Sequence, residues 1–142
     1  MRAVVLVGGE GTRLRPLTFT TAKPMLPVVD VPMIERIVGH LARHGITDVV
    51  LSMRYRPDEF VDAFPTGTAR GVRLSYAVEP EPLDTAGGIA FAARSAGFDG
   101  DAEPFLVVNG DILTDIDLGA LLAFHHERGA EATIALTPVD DP

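Results

Sequence analysis

Short apolar runs recur along the chain and alternate with amphipathic stretches. The runs at residues 2–7, 48–52, 73–78, 105–109 and 132–137 have strand length. Most are apolar throughout, as strands covered on both faces are. A helical pattern covers residues 32–43: Ile34, Ile37, Val38 and Leu41 share one face, Pro32 suits the first turn, and Gly45 follows the end. A short helix is predicted after Pro57, through residues 58–62, and another over residues 86–96. The last predicted helix starts after Asp115 or Asp117, either of which can cap it. It ends before Gly129 and turns Leu118, Leu121, Leu122 and His125 inward. Strand and helix in alternation imply an α/β fold. The expected architecture is a three-layer, Rossmann-like, mostly parallel sheet with ligands at the carboxyl ends of its strands.

Composition narrows the picture. At 142 residues the chain has room for one domain with a real core, and not comfortably for two. An apolar content of 46% is that of a globular protein. No apolar run approaches the roughly 18 residues of a membrane span. Met1 leads straight into the first strand, which leaves no room for a signal peptide. The absence of cysteine excludes disulfides and thiolate metal sites and fits a cytoplasmic protein. A net charge of −8 argues against a nucleic-acid surface. It also makes any local cationic cluster more telling.

Such a cluster follows the first strand. Residues 8–18 read Gly-Gly-Glu-Gly-Thr-Arg-Leu-Arg-Pro-Leu-Thr, and Lys23-Pro24 come shortly after. Glycines let the backbone turn tightly and approach a ligand, exposed N–H groups cradle anions, and arginine adds a fixed fork of donors suited to phosphate. The nucleotide-binding P-loop pattern, with its Gly-Lys-Ser/Thr ending, is absent. The dinucleotide fingerprint begins at Gly9-Glu10-Gly11 but fails at Leu14, where its third glycine belongs, and Pro16, Pro24 and Pro27 prevent a long helix here. The expectation is a long, irregular phosphate loop. The plainer alternative, a glycine-rich turn without ligand, has no use for Arg13, Arg15 and Lys23 together.

Three other places carry candidate chemistry. Asp111 follows the strand at 105–109 and the small pair Asn109-Gly110, so a carboxylate stands at a strand's carboxyl end. It can hold magnesium together with phosphate oxygens, or it can simply cap a turn. Glu79 opens a proline-rich turn, Glu79-Pro80-Glu81-Pro82-Leu83-Asp84-Thr85-Ala86-Gly87-Gly88, that leads into a helix. A carboxylate is acceptor-only. If it meets a nucleobase, it matches the two adjacent donors of guanine and repels the flanking acceptors of uracil and thymine; the alternative is an exposed glutamate at a strand end. His40 and His44, four apart on one helix, could pair on a metal, but no third ligand lies nearby in sequence, and His44 in the last turn complements the helix dipole.

The stretch from Gly8 to Thr18 with Lys23-Pro24 resembles the signature of the sugar-phosphate nucleotidyltransferases, or nucleotide-sugar pyrophosphorylases. Residues 79–88 and Val107-Val108-Asn109-Gly110-Asp111 also fit, and the likeness runs from Met1 to about Pro138. The resemblance implies transfer of a nucleoside monophosphate from a nucleoside triphosphate to a sugar 1-phosphate, with pyrophosphate leaving. It implies Arg13, Lys23 and Asp111 as catalytic residues, with magnesium on Asp111. The nucleotide would lie against Leu6, Gly8, Gly9, Gly11, Thr12, Arg13, Glu79, Pro82, Asp84, Thr85, Ala86 and Gly110. Arg15 is the weaker candidate, because the family tolerates several residues there. GTP is the favoured triphosphate and a GDP-mannose type of sugar nucleotide the favoured product; thymidylyl and uridylyl transfer stay open. Residues 1–142 correspond to the nucleotide-binding part of the family's domain, without the elements that hold the sugar. A non-catalytic nucleotide-binding module that needs a partner chain, or an oligomer formed through an exposed sheet edge, is therefore also open. The sequence departs from the family at Asp84, where glycine is usual. If that glycine serves a positive φ, Asp84 is a strained substitute.

Overall fold

A computed structural model describes residues 1–98 and 103–138. In chain order the strands are β1 (Arg2–Leu6), the short pair β2 (Pro27–Val28) and β3 (Val31–Pro32), β4 (Asp48–Met53), β5 (Thr68–Ala69), β6 (Val72–Val78) and β7 (Leu106–Asn109). The helices are α1 (Met33–Arg43), α2 (Pro57–Ala63), α3 (Asp84–Ser95) and α4 (Leu118–Arg128). The main sheet has the order β5-β6-β4-β1-β7 and is parallel except for β5. The chain moves outward from β1 through β4 to β6, then returns through α3 to place β7 on the other side of β1. Right-handed crossovers in opposite directions put their helices on opposite faces.

The core follows this division. Ala3, Val5 and Val7 pack with Ile34, Ile37, Val38 and Leu41 of α1 and with Phe60 of α2. Val4 points the other way, against Ala92 and Ala93 of α3 and Phe98. Alternate residues of one strand thus enter two separate cores, so β1 is apolar from Ala3 to Leu6. The predicted inner face of α1 is fully buried, and each such aliphatic side chain contributes about 1.5–3 kcal/mol. The helix ends with Ile46 N–H donating to the Leu41 carbonyl and Gly45 N–H to Ala42, around a Gly45 φ of 77°. This is the glycine-terminated cap that the sequence predicts. Asp117 caps α4 by accepting from Ala120 N–H at 3.0 Å.

One predicted strand is absent. Residues 132–137 alternate like a strand, but none of them joins a ladder among the described residues. Ile134 is 79% and Leu136 89% exposed. A strand exists only where its N–H and C=O groups find a neighbour, and the outer edge of β7 carries none among the described residues. No helix among the described residues is long and apolar enough to cross a membrane.

Candidate nucleotide site

The sheet order fixes where a ligand can sit. β4 and β7 leave β1 in opposite directions, and in open α/β sheets the crevice at such a switch point, beyond the carboxyl ends, receives ligands. Leu6 pairs with Ser52 of β4 and with Asn109 of β7. The residues that emerge there are Gly8 after β1 and Gly110-Asp111 after β7. Glu79 leaves β6 beside them, its N–H bonded to the Met53 carbonyl at 2.8 Å.

The loop after β1 is built as three single 3-10 turns, Thr12–Leu14, Leu17–Phe19 and Lys23–Met25. The prolines forbid a continuous helix and leave this piecewise path. Gly11 is its pivot, with φ 61°; a methyl group there would stand 2.9 Å from Thr18 Cγ2 and 3.1 Å from Lys23 Cβ. Only glycine fits both demands. Thr18, buried to 1% exposure, donates from Oγ1 to the Gly11 carbonyl at 2.8 Å. Tyr55 OH donates to the Thr18 carbonyl, and Glu59 of α2 accepts from Ala22 N–H at 2.7 Å. Arg56 pairs with the same Glu59 carboxylate. Sequence reasoning assigns no role to Tyr55, Glu59 or the Thr18 hydroxyl. Their partners lie up to 37 residues away, and no local pattern announces them.

What the loop leaves open matters more than what it ties. Among the described residues, the N–H groups of Gly9, Glu10 and Gly11 donate to no partner. Nothing lies within 4 Å of where a Gly9 side chain would begin. Arg13 is exposed and has no ion pair among the described residues. Arg15, in contrast, is engaged by Glu10 at 3.5 Å and lies over the Phe19 ring. Thr12 is exposed at the start of the first 3-10 turn.

Lys23 and Asp111 meet although 88 residues separate them. Lys23 Nζ donates to Asp111 Oδ2 at 2.7 Å. Gly110 makes the meeting possible: its N–H bonds to the Leu6 carbonyl at 2.8 Å. A methyl group on it would fall 2.5 Å from Val7 Cγ1 and 2.8 Å from that same carbonyl. No group of three or more His, Cys, Asp or Glu side chains that could hold a metal exists among the described residues. A protein-only cage is therefore not available here. Magnesium in phosphate sites needs only one or two carboxylates, with phosphate oxygens and water completing the shell. Asp111, half exposed at a strand end, fits that donor set.

The Glu79 turn closes the other side. Glu79 Oε1 would lie 3.9 Å from a methyl group on Gly8 and accepts from Ser52 Oγ at 2.9 Å. Pro82, Asp84, Thr85 and Ala86 are exposed along the turn and the first turn of α3. Asp84 has φ 54°. The position does demand the left-handed region, and an aspartate there carries a cost of about 1 kcal/mol that glycine would avoid. The histidine pair on α1 has ordinary employment. His40 Nε2 bonds the Ile116 carbonyl at 3.0 Å, and His44 Nδ1 bonds the His40 carbonyl at 3.1 Å. Burial first, then the neighbouring His44, pushes His40 below the usual histidine range. A cavity of about 140 Å³ beside them, lined by Arg36, His40, Ile112 and Leu118 among others, is small against the several hundred Å³ of typical ligand pockets.

A glycine loop with N–H groups unpaired among the described residues and a strand-end carboxylate stand together at the switch point of an α/β sheet, and comparison with known proteins gives the family. The chain belongs to the nucleotidyl transferase family, whose model matches residues 2–142. It is 46% identical to the mannose-1-phosphate guanyltransferase of Aspergillus fumigatus, covering 100% of this chain and 39% of that protein. It is 44% identical to the mannose-1-phosphate guanylyltransferase of Mycobacterium tuberculosis, covering 99% of this chain and 38% of that protein. It therefore spans about two fifths of the length of these curated relatives. Among solved structures, HddC from Yersinia pseudotuberculosis complexed with GMP-PN superposes with a TM-score of 0.73 at 27% identity, covering 87% of this chain and 53% of that one. A putative glucose-1-phosphate thymidylyltransferase from Bacillus anthracis superposes with a TM-score of 0.72 at 30% identity, covering 89% and 50%. The fold is the Rossmann-like one of the nucleotide-diphospho-sugar transferases, as the sequence implies.

Proposed function

We propose that this chain forms the GTP-binding part of an enzyme that transfers GMP to a sugar 1-phosphate, with mannose 1-phosphate as the favoured acceptor. The observation that carries the reading is the Lys23–Asp111 pair, Nζ to Oδ2 at 2.7 Å, beside a loop whose Gly9, Glu10 and Gly11 N–H groups and exposed Arg13 have no partner among the described residues. That is a set of donors for a polyphosphate with one carboxylate for a cation.

In the proposed reaction a phosphate oxygen of the sugar 1-phosphate attacks the α-phosphorus of GTP in line. The bond from that phosphorus to the bridging oxygen breaks, and pyrophosphate leaves with the electron pair. The protein's part is positioning and charge neutralisation. Arg13 and the loop N–H groups receive the pyrophosphate. Lys23 leaves Asp111 and binds oxygens near the reacting phosphorus. Asp111 would hold a magnesium ion, which would supply polarisation and orientation of the phosphoryl group. Leu6, Gly8, Gly11, Thr12 and Gly110 line the nucleotide, with Glu79, Pro82, Asp84, Thr85 and Ala86 about the base. Residues 1–142 act as the nucleotide-binding part of the family's domain. A cysteine-free chain suits the cytoplasm.

The test is magnesium-dependent pyrophosphate release from GTP on addition of mannose 1-phosphate. Release that requires both substrates supports the transfer. GTP binding without release makes this chain a binding module that needs a partner for chemistry. Equal release from UTP or dTTP with their sugar phosphates overturns the guanylyl assignment.

A further inference from the structure

Ser52 and Thr18 are the two buried polar residues among those described. Thr18 anchors the phosphate loop, whereas Ser52 serves the opposite end of the crevice. Its hydroxyl donates to Glu79 Oε1 at 2.9 Å and stands 3.3 Å from the Gly88 carbonyl. A hydroxyl has one proton to give, and the shorter bond to a charged acceptor is the stronger. Gly88 confines the same oxygen from another side, since a methyl group there would lie 2.8 Å from Glu79 Oε1. The Glu79 backbone is fixed as well, by its N–H bond to Met53. Glu79 Oε2 makes no hydrogen bond among the described residues.

We propose that Ser52 is a positioning residue for base selection, acting through Glu79 in the space that Gly88 leaves. This rests on the reading of Glu79 as the residue that meets the base. Ser52 occupies one lone pair of Oε1 and stops the carboxylate from rotating. Oε2 and the remaining lone pair of Oε1 then face the crevice as a fixed pair of acceptors. A guanine edge, with ring N–H and amino group side by side, satisfies both. Uracil and thymine present one donor between two acceptors, and adenine one donor beside an acceptor; a carboxylate that cannot turn away repels them. Fixing the acceptor before binding also removes an ordering cost that a free glutamate would bear on every binding event.

The experiment compares the unmodified chain with Ser52→Ala, Gly88→Ala and Glu79→Gln. It measures dissociation constants for GTP, ATP, UTP and inorganic tripolyphosphate in magnesium by calorimetry. Loss of one charge-assisted orienting bond should weaken GTP about tenfold in Ser52→Ala while tripolyphosphate stays within about twofold. Gly88→Ala, which displaces the same oxygen by a different route, should do likewise, and it carries the test if Ser52→Ala does not fold. Equal weakening of all four ligands, or an unchanged preference for GTP in both variants, overturns the proposal. Glu79→Gln separates the two levels. If it abolishes the preference while Ser52→Ala and Gly88→Ala keep it, the Ser52 assignment alone falls. If Glu79→Gln itself leaves the preference intact, or the unmodified chain has none, the base reading falls with it.

Discussion

Replacing Gly110 by alanine should damage both the fold and the site, for a reason visible in two distances. The added methyl would lie 2.5 Å from Val7 Cγ1 and 2.8 Å from the Leu6 carbonyl oxygen. Val7 is in the core at 2% exposure and cannot swing aside. The carbonyl is backbone and is already the acceptor for Gly110 N–H, so relief of the clash stretches or breaks that bond. Overpacking costs about 1–3 kcal/mol and the lost hydrogen bond about 0.5–1.5. A destabilisation of about 2–4 kcal/mol follows, a large share of the roughly 5–15 kcal/mol of an ordinary domain. In urea, with a slope of about 1–3 kcal/mol per molar, the midpoint should fall by roughly 1–3 M. Gly9→Ala is the control. Its methyl meets nothing within 4 Å and its φ is not left-handed, so its stability should stay within about 1 kcal/mol of the parent. Its GTP affinity should nonetheless fall, because the methyl enters the space where the phosphates are proposed to lie. A Gly110→Ala chain as stable as the parent would refute the close packing of β7's end on β1.

Thr18→Val keeps the shape but strips the hydroxyl from a buried bond to the Gly11 carbonyl. Urea unfolding should show a loss of about 1–3 kcal/mol, and GTP titration a weaker, looser loop. Lys23→Met breaks an ion pair whose side chains are 31% and 43% exposed, so thermal unfolding should move by less than about 1 kcal/mol. GTP affinity should fall by at least about tenfold, a loss of roughly 1.4 kcal/mol; a large stability change with intact binding would reverse that division. Asp48 is held below the usual carboxylate range, first by the hydrogen bond from Arg73 and then by that from Thr47. A depressed carboxylate contributes stability above its unfolded value of about 4 and loses it as pH falls through the folded value. Asp48→Asn should therefore be less stable than the parent at neutral pH, with the gap closing below about pH 4. A gap that widens in acid would contradict the pairing.

The legible parts of this protein are those whose signal is local. The inner face of α1 was readable because Ile34, Ile37, Val38 and Leu41 repeat at helical spacing, and β1 because an apolar run ends in glycines. The resemblance, with glycine usual at position 84, left a positive φ open there, and Asp84 adopts one of 54°. Residues 132–137 show the limit of the same logic. Their alternation states a capacity for strand, but pairing depends on a neighbour that the pattern cannot see. The site divides in the same way. Arg13, Lys23, Glu79 and Asp111 stood out by residue type and position. Their mutual arrangement did not: the Lys23–Asp111 pair spans 88 residues and the Ser52–Glu79 bond 27. The prolines at 16, 24 and 27 ruled out a helix after β1 without saying that three 3-10 turns would replace it.

The carboxyl ends of β1 and β7 are proposed to take a guanine nucleotide through its phosphates and its base. Calorimetric titration of the chain with GTP, ATP, UTP and dTTP, each with and without magnesium, tests it most directly. Binding should strengthen with magnesium and favour GTP over the other three. Failure to bind any triphosphate, or binding indifferent to both base and magnesium, would contradict it.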